Sequence, residues 1–321
     1  MRLLSQHPDV EVVAAGALSH AGESVGSLYP SLRLAWPDLV FEDSDPERFR
    51  GLDLVFLALP HGAAEGMVRE IVGNVGVIVD LSADFRLKDP LLYRQFYGRD
   101  HGAPELLEEF AYGLPELFRT SLQGASLVAA PGCYPTAAAL ALSPLVSAGA
   151  VEPHGVVVDA ASGVSGAGSS LSPATQFSTA EGDFRAYGLL RHRHTPEIEQ
   201  ATGAQVLFTP HLAPMARGIL ATCYARPRAG LDTSGALEIL GSAYAGEPFI
   251  SVRPEPPSTK ATLGSNSAHL SVVVDDRTGW LVVMAAIDNL VKGAAGQAIQ
   301  CANLALGLPE TRGLPVAGVF P

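Results

Sequence analysis

The chain has 321 residues, of which 47% are hydrophobic, and a formal net charge of −12 at neutral pH. This length and composition predict about two domains with a sizeable core. The acidic balance argues against a nucleic-acid partner, because phosphate contacts need clustered lysine and arginine. Three cysteines lie far apart with no CxxC pair, which favours a reducing compartment over a disulfide framework or a zinc site. No stretch has the pattern of a signal peptide or a membrane span, so we expect a cytoplasmic protein with no membrane partner.

Apolar runs alternate with helical patterns in the first half of the chain. Strands are predicted at 10–18, 52–59 and 75–81, and a helix at 63–72. The runs are nearly continuous, as expected of parallel strands that are buried on both faces. They indicate a doubly wound α/β sheet, which binds nucleotides at the carboxyl ends of its strands. Pro60 and His61 follow one of these ends.

A cysteine lies where an apolar strand meets a helix. The run 127–130 is followed by Pro131, Gly132 and Cys133, and then by Pro135 and an alanine-rich segment. We expect Pro135 at the first helical position. Backbone N–H groups and the helix dipole would then favour the thiolate of Cys133. By itself the pattern fits a nucleophile and a small buried residue about equally well.

Beyond Cys133 the pattern changes to that of a separate α+β domain with a mixed or antiparallel sheet. Strands are predicted at 156–160, 206–209, 218–225, 270–274 and 280–287, and helices at 195–201, 234–245 and 289–306. A hairpin turn with glycine near its end, 275–279, joins the last two strands.

Two histidines precede a predicted helix start in the run RHRHTPE, residues 191–197. We expect Thr195 as the N-cap and Pro196 at the first helical position. Histidine is the usual base for a thiolate because its pKa lies near neutrality, so His192 and His194 are candidates. A metal pair and solvated loop histidines are the alternatives, and the lack of a third ligand nearby argues against the metal.

Glycine-rich and basic segments offer sites for anions. The loop SGVSGAG, 162–168, presents successive backbone N–H groups that suit a phosphate, although a plain flexible loop fits equally well. Arg86 and Arg217 are each suited to a carboxylate or phosphate, or to a surface ion pair. Asn289 begins a helix whose small residues indicate close packing against another backbone or a ligand.

These motifs together resemble the N-acetyl-gamma-glutamyl-phosphate reductase family, relatives of aspartate-semialdehyde dehydrogenase. The matching runs, in family order, are LALPHG (57–62), DLSADFRLKDP (80–90), YGLPEL (112–117), PGCYPTAA (131–138), SGVSGAG (162–168), HRHTPEIEQ (192–200), RGIL (217–220) and AIDNLVKGAAGQA (286–298). A sister family acts on the one-carbon-longer aminoadipyl phosphate of lysine biosynthesis. The GCYPT run and the glycine-rich loop favour the glutamyl substrate.

The resemblance implies a Rossmann-type NADP-binding domain, residues 1–132 and 289–321, and a catalytic and dimerisation domain, residues 133–288. It implies NADPH-dependent reduction of the acyl phosphate to a semialdehyde through a cysteine thioester, in arginine biosynthesis. A homodimer or homotetramer without a metal is expected.

The resemblance also assigns residues to the site. The catalytic residues would be the nucleophile Cys133, the acid/base His192 and a substrate-contacting neighbour, His194. The cofactor-binding residues would be Ser19, Pro60, His61, Ser82, Ser162, Gly163, Gly166, Gly168 and Asn289. Arg86 and Arg217 would bind the substrate. Ser19 and His20 stand where the family often carries an arginine for the 2′-phosphate of NADP.

The first predicted strand corresponds to the second strand of the family. The family opens with a strand and a GASGYTG-like loop, which holds the cofactor pyrophosphate over a helix N-terminus. We expect Met1 to lie inside the family's first helix, with the missing strand and loop encoded directly upstream. Two alternatives stay open: a cysteine acyltransferase or hydrolase without a cofactor, and an inactive paralogue that acts as a binding subunit.

Overall fold

The computed structural model describes residues 1–17, 19–168, 170 and 172–320. In its first part short strands alternate with helices. The elements are α1 (Val25–Leu28), β1 (Leu54–Leu57), α2 (Ala64–Ile71), β2 (Val77–Asp80), α3 (Pro90–Tyr97), β3 (Ala111–Tyr112), α4 (Pro115–Leu122) and β4 (Leu127–Ala129). Short 3-10 turns lie at Leu4–Gln6, Pro30–Leu32, Pro46–Phe49 and Pro104–Glu109.

The second part begins with a long helix and then forms a larger sheet. The elements are α5 (Cys133–Ser147), β5 (Val156–Gly163), α6 (Phe177–Ala180), β6 (Arg185–Ala186), α7 (His194–Thr202), β7 (Val206–Ala213), β8 (Ile219–Ala225), α8 (Thr233–Ala243), β9 (Ile250–Val252), α9 (Thr259–Thr262), β10 (Ala268–Asp275), β11 (Trp280–Ile287) and α10 (Gly296–Ala305). Short 3-10 turns, Val164–Ala167 and Pro173–Thr175, follow β5, and a π-helical turn, Val291–Ala295, leads into α10. Across the described ranges, the helices are too short or too polar to cross a bilayer.

The first sheet is parallel and has the strand order β1-β2-β4-β3. Every residue of β2 and β4 is buried, which is what the continuous apolar runs predict for central parallel strands. Ala64, Val68 and Ile71 of α2 pack in one core beside this sheet. Ala298 and Cys301 of α10 pack in another core, with residues of β2 and β4. The doubly wound α/β prediction is confirmed, and the last helix returns to the first sheet.

The second sheet has seven strands in the order β6-β7-β5-β8-β11-β10-β9. β5 pairs parallel with β7 and β9 with β10, while the other pairs are antiparallel, so the sheet is mixed. Buried and half-buried residues alternate along β5, β8 and β11. Helices α5 and α8 contribute to the core on the buried face. The opposite face carries Leu207 and Val273, which are 51% and 44% exposed.

The predicted strand at 10–18 is wrong for the part that the structure describes. Gly16 forms a single bridge with Glu42, and the rest of 10–17 is assigned no strand, while Leu18 lies outside the described residues. Val13 is 60% exposed. The segment is apolar enough for a strand, but a strand needs a run of ladder partners, and the facing segment supplies one bridge.

Three predicted helix starts also shift. Helix α5 begins at Cys133 with Gly132 as N-cap, so Pro135 is its third residue, where an N–H has no intrahelical partner either. Helix α7 begins at His194 with Arg193 as N-cap, because the N–H of Thr195 already bonds to a carbonyl at 192. The helix predicted at 289–306 begins as the π-turn.

Candidate active site

Cys133 is the first residue of α5, next to the carboxyl end of β4. The N-cap Gly132 has extended backbone, and its carbonyl accepts the N–H of Thr136 at 2.9 Å. The thiol forms no disulfide, and the residue as a whole is half-buried. The prediction of a cysteine in the first turn of a helix is therefore confirmed.

The protonation state of this thiol differs from the sequence prediction. Burial raises the pKa of Cys133 to about 11, against the opposing effects of the Arg86 guanidinium and the backbone N–H of Tyr134. The amide groups do favour the thiolate, but loss of solvent around the sulfur outweighs them. The thiol is protonated at neutral pH, so its activation needs a base.

His194 lies against the residue that precedes the nucleophile. A β-carbon at Gly132 would lie 2.8 Å from Cε1 and 2.9 Å from Cδ2 of the His194 ring, so only glycine leaves room for the imidazole. Burial, and then the neighbouring His192, lower the pKa of His194 well below its usual value. Its Nδ1 is buried without a hydrogen-bond partner in the described part of the chain. His194 thus brings a neutral imidazole beside Cys133.

His192 lies in an aromatic enclosure. Its ring contacts Tyr134, Tyr187 and Phe208 edge-on, at centroid distances of 5.8, 5.5 and 5.3 Å. Its Nδ1 accepts the backbone N–H of His194 at 3.2 Å. Burial lowers the pKa of His192 to about 4, so the ring is neutral and carries its proton on Nε2. In this geometry His192 is a hydrogen-bond donor.

A buried carboxylate holds the turn before the nucleophile. Oε1 of Glu197 accepts the N–H of Gly132 at 2.8 Å and the hydroxyl of Tyr112 at 2.9 Å. Glu197 lies in the first turn of α7, on the same helix face as His194. One helix therefore positions both the imidazole and the peptide beside Cys133. Sequence reasoning missed this glutamate, although it stands in the RHRHTPE run.

Arg86, predicted to bind substrate, faces the protein in this structure. It donates from Nε to the carbonyl of Ala130 and from Nη2 to the carbonyl of Leu81, both at 2.8 Å. Nη1 lies 3.5 Å from Oε2 of Glu197. These contacts tie the ends of β2 and β4 to α7. Its substrate contact stays a prediction.

The glycine-rich loop, the Arg217 segment and Asn289 come together. Oδ1 of Asn289 accepts the N–H of Gly218 at 2.7 Å, and Nδ2 donates to Oγ of Ser165 at 3.0 Å. Gly163 packs so closely that a β-carbon there would lie 2.7 Å from the backbone N of Arg217. One amide side chain therefore joins two loops that lie far apart in sequence.

The other residues predicted to bind the cofactor in the glycine-rich loop lie beside Gly163. Ser162 is buried and donates to the carbonyl of Gly163 at 3.0 Å. Gly166 packs against the Ser162 hydroxyl, whereas Gly168 has a φ of +85° and open space around the position of a β-carbon. The end of the loop thus leaves room for a ligand.

Arg217 is oriented by a buried carboxylate. Its Nη2 lies 2.9 Å from Oδ1 of Asp288, which is fully buried. Asp288 also accepts the N–H of Gly264 at 2.6 Å and that of Leu290 at 2.8 Å. The Arg217 side chain keeps 27% of its surface exposed. An arginine held in this way suits an anionic substrate group.

Three further predicted cofactor residues lie at the carboxyl ends of β1 and β2. Pro60 is exposed, and Nδ1 of His61 lies 2.6 Å from Oδ1 of the buried Asp84. Ser82 donates its hydroxyl to Asp80 at 2.7 Å. This edge is where open α/β sheets bind their ligands. Ser19 lies apart, in an exposed bend before α1.

The buried carboxyl of Asp80 makes the free energy of unfolding depend on pH. Burial raises the pKa of its carboxyl to about 6, although Ser82 donates two hydrogen bonds to it. The folded state then binds this proton more tightly than the unfolded chain, so ionised Asp80 destabilises the fold above about pH 6 and this penalty disappears towards pH 4. We expect Asp80→Asn to raise the free energy of unfolding by about 1–3 kcal/mol at about pH 8, with no gain at about pH 4.

Urea unfolding at both pH values measures this difference. The exposed Asp43→Asn is the matched control, with an expected change within about 0.5 kcal/mol at either pH. A loss of stability at the higher pH in Asp80→Asn would contradict the assignment.

Comparison with known proteins places these features in a family. Residues 1–125 match the semialdehyde dehydrogenase NAD-binding domain, and residues 133–289 match the semialdehyde dehydrogenase dimerisation domain. An N-acetyl-gamma-glutamyl-phosphate reductase of Symbiobacterium thermophilum is 50% identical over 331 residues, which cover 100% of this chain and 95% of that protein. The chain belongs to the N-acetyl-gamma-glutamyl-phosphate reductase family. The resemblance predicted from the motifs is confirmed.

A second family member and two solved structures are also similar to this chain. The N-acetyl-gamma-glutamyl-phosphate reductase of Desulforudis audaxviator is 47% identical over 330 residues, with 100% of this chain and 95% of that protein covered. Aspartate semialdehyde dehydrogenase with NADP from Candida albicans has a TM-score of 0.67 at 16% identity, covering 94% of this chain and 92% of that one. Aspartate semialdehyde dehydrogenase II from Vibrio cholerae has a TM-score of 0.62 at 15% identity, covering 84% of each chain. At these identities the structures show the shared fold alone.

Proposed function

We propose that the protein reduces N-acetyl-L-glutamyl 5-phosphate to N-acetyl-L-glutamate 5-semialdehyde, with NADPH as the reductant, in the cytoplasm. The observation that carries this proposal is the neutral His194 imidazole packed beside Cys133 at the start of α5. Relatives that match the whole chain bear the name of this activity.

The site supports covalent catalysis through the Cys133 thiol. His194 takes the thiol proton, the sulfur attacks the carbonyl carbon of the acyl phosphate, and phosphate leaves with the electrons of the broken C–O bond. Backbone N–H groups at the start of α5 would stabilise the negative charge on the carbonyl oxygen. The resulting thioester keeps the acyl group in place and removes the charge of the phosphate.

The second half-reaction releases the aldehyde. The bound cofactor would supply the hydride that reduces the thioester carbon. The C–S bond then breaks, its electrons return to the Cys133 sulfur, and the aldehyde departs. The Nε2–H of His192 is suited to donate a hydrogen bond to the developing oxyanion. A thiolate is a far better leaving group than hydride, so the oxyanion expels the sulfur. The sulfur then takes back the proton that His194 held.

We assign the cofactor to the carboxyl edge of the first sheet and the glycine-rich loop. His61, Ser82 and Asn289 lie on elements that border this region, and the open space at Gly168 gives the backbone room to meet a ligand. Ser19 is assigned to the ribose end of the cofactor. The substrate's anionic groups are assigned to Arg217, with Arg86 as the second candidate.

We further propose a homodimer built on the half-exposed face of the second sheet. Leu207, Val157, Tyr224, Val282 and Val273 lie side by side across five strands, in register. These side chains form a largely apolar row that keeps part of its surface exposed. An apolar face of this kind favours burial against a second copy, and the matching dimerisation domain spans these strands.

The reverse reaction tests the activity. We expect NADP reduction by N-acetylglutamate semialdehyde to require inorganic phosphate, because phosphate must attack the thioester carbon and release the Cys133 sulfur. We expect kcat/KM to be about 10- to 200-fold lower with the one-carbon-longer semialdehyde, since one methylene alters the fit by about 1–3 kcal/mol. NADP reduction that proceeds without phosphate would contradict the acyl-phosphate reaction. Thioester hydrolysis without a cofactor would favour the acyltransferase or hydrolase alternative.

A further inference from the structure

Lys292 lies fully buried where the π-turn packs against α4 and α10. Its side chain is 0% exposed, and its Nζ donates to Oε1 of Glu116 at 2.5 Å and to Oε1 of Gln300 at 2.8 Å. Glu116 lies at the start of α4 and Gln300 within α10. Moving two charges from water into the protein interior costs desolvation free energy, and the attraction within the pair offsets only part of it. The pair therefore adds little net stability, which points to another role.

The residue after Lys292 touches the nucleophile. A β-carbon at Gly293 would lie 2.7 Å from Cβ and 3.2 Å from Cα of Cys133. The N–H of Gly293 bonds to the carbonyl of Asp288 at 2.9 Å, which is the i→i−5 pattern of a π-turn. Such turns are rare and occur often at functional sites. The Lys292 side chain thus reaches α4 while the adjoining backbone meets the first turn of α5.

The Glu116 carboxyl is held in its ionised form in the folded protein. Burial by itself would raise the pKa of the Glu116 carboxyl, but the Lys292 ammonium and the amide of Gln300 hold it below its usual value. Nε2 of Gln300 donates to the same carboxylate oxygen at 2.9 Å. Because charge-assisted hydrogen bonds are short and directional, this arrangement tolerates little displacement of the π-turn.

We propose that Lys292 and Glu116 are positioning residues: their ion pair fixes the π-turn and so sets the place of Cys133 through Gly293. The role in catalysis rests on the proposed function. Neither side chain is assigned a contact with substrate or cofactor. Displacement of a reacting atom by about 1 Å can lower the rate by about 10²-fold, so a small shift of this turn should lower kcat.

A neighbouring set of ion pairs supplies the matched control. Arg119, also in α4, donates to Glu247 at 2.6 Å and lies 2.9 Å from Glu310. Arg119 joins α4 to Glu247 of the second domain, whereas Lys292 pairs within the first domain. The carboxylate partners of Arg119 lie outside the π-turn, although Glu310 also accepts from Nε2 of Gln300 at 2.7 Å. Glu116, Glu247 and Glu310 bring oxygens close together as a cation site would, yet Lys292 and Arg119 already pair with them.

The test uses the full-length variants Lys292→Met, Lys292→Met with Glu116→Gln, and Arg119→Met. The double variant removes both charges, so no unpaired buried charge is left to unfold the protein. The first readout is the rate of Cys133 alkylation by iodoacetamide at about pH 8, followed by mass spectrometry. Cys223 and Cys301 are 0% exposed and serve as internal references. The second readout is kcat and KM in the reverse assay.

We expect the double variant to remain folded and to change the alkylation rate by about fivefold or more, with kcat lowered about tenfold or more and KM nearly unchanged. Arg119→Met is expected to lose stability while both readouts stay near those of the unaltered protein. Wild-type alkylation and kcat in the double variant, or equal losses in Arg119→Met, would overturn the proposal. If the unaltered protein shows no reductase activity, the proposed function fails, while the alkylation rates still decide the positioning role.

Discussion

Replacing Cys133 with alanine lowers phosphate-dependent NADP reduction by about 10⁴-fold or more, because loss of a nucleophile removes the covalent route entirely. The same loss is expected for Cys133→Ser, which keeps the shape but offers a far weaker nucleophile. Cofactor binding, followed by fluorescence titration, should change little in either variant, since the assigned cofactor residues lie elsewhere.

Trapping the acyl-enzyme gives the direct measurement. Incubation with the acyl phosphate in the absence of cofactor should add the mass of one N-acetylglutamyl group to the unaltered protein and none to Cys133→Ala. The matched control is Cys223→Ala, a buried thiol in β8, which should retain both the adduct and turnover. An adduct that persists in Cys133→Ala would remove the basis of the mechanism.

Replacing His194 with asparagine lowers kcat by about 10²–10⁴-fold, the usual contribution of a positioned general base. The sequence favoured His192 for this role, which stays a prediction. The structure favours His194, because its Nδ1 is free of partners in the described residues while Nδ1 of His192 accepts a backbone N–H. The kcat of His192→Asn should therefore stay about tenfold or more above that of His194→Asn.

The pH dependence of Cys133 alkylation separates the two histidines. In the unaltered protein the alkylation rate should rise with pH up to the thiol pKa of about 11. Only the thiolate reacts, and burial keeps the thiol protonated at lower pH. His194→Asn should slow alkylation near neutral pH, where the imidazole would otherwise take the proton, and His192→Asn should change it less. His154, exposed in the loop after α5, supplies the control variant His154→Asn. A larger loss in His192→Asn would restore the original assignment.

Much of the architecture could be predicted from local patterns. The strand at 280–287 and the helix at 63–72 agree with β11 and α2 to within about a residue, because continuous or periodic apolar runs dictate burial. The strand predicted at 10–18 is wrong over the described residues 10–17, because strand formation depends on partners elsewhere in the chain. Helix starts shifted by one or two residues, since hydrogen bonds of the folded turns, and not cap preferences alone, decide them.

The family, the two kinds of sheet and the placement of Cys133 at a helix start could be predicted from residue types and spacings within short segments. The protonation of the thiol and the partners of the nucleophile depend on how distant segments pack. Glu197 reaches Gly132 across 65 residues and Lys292 reaches Glu116 across 176, so no local pattern could reveal either contact. Burial is likewise a property of the folded chain, and it is burial that raises the pKa of Cys133 against the pull of the helix.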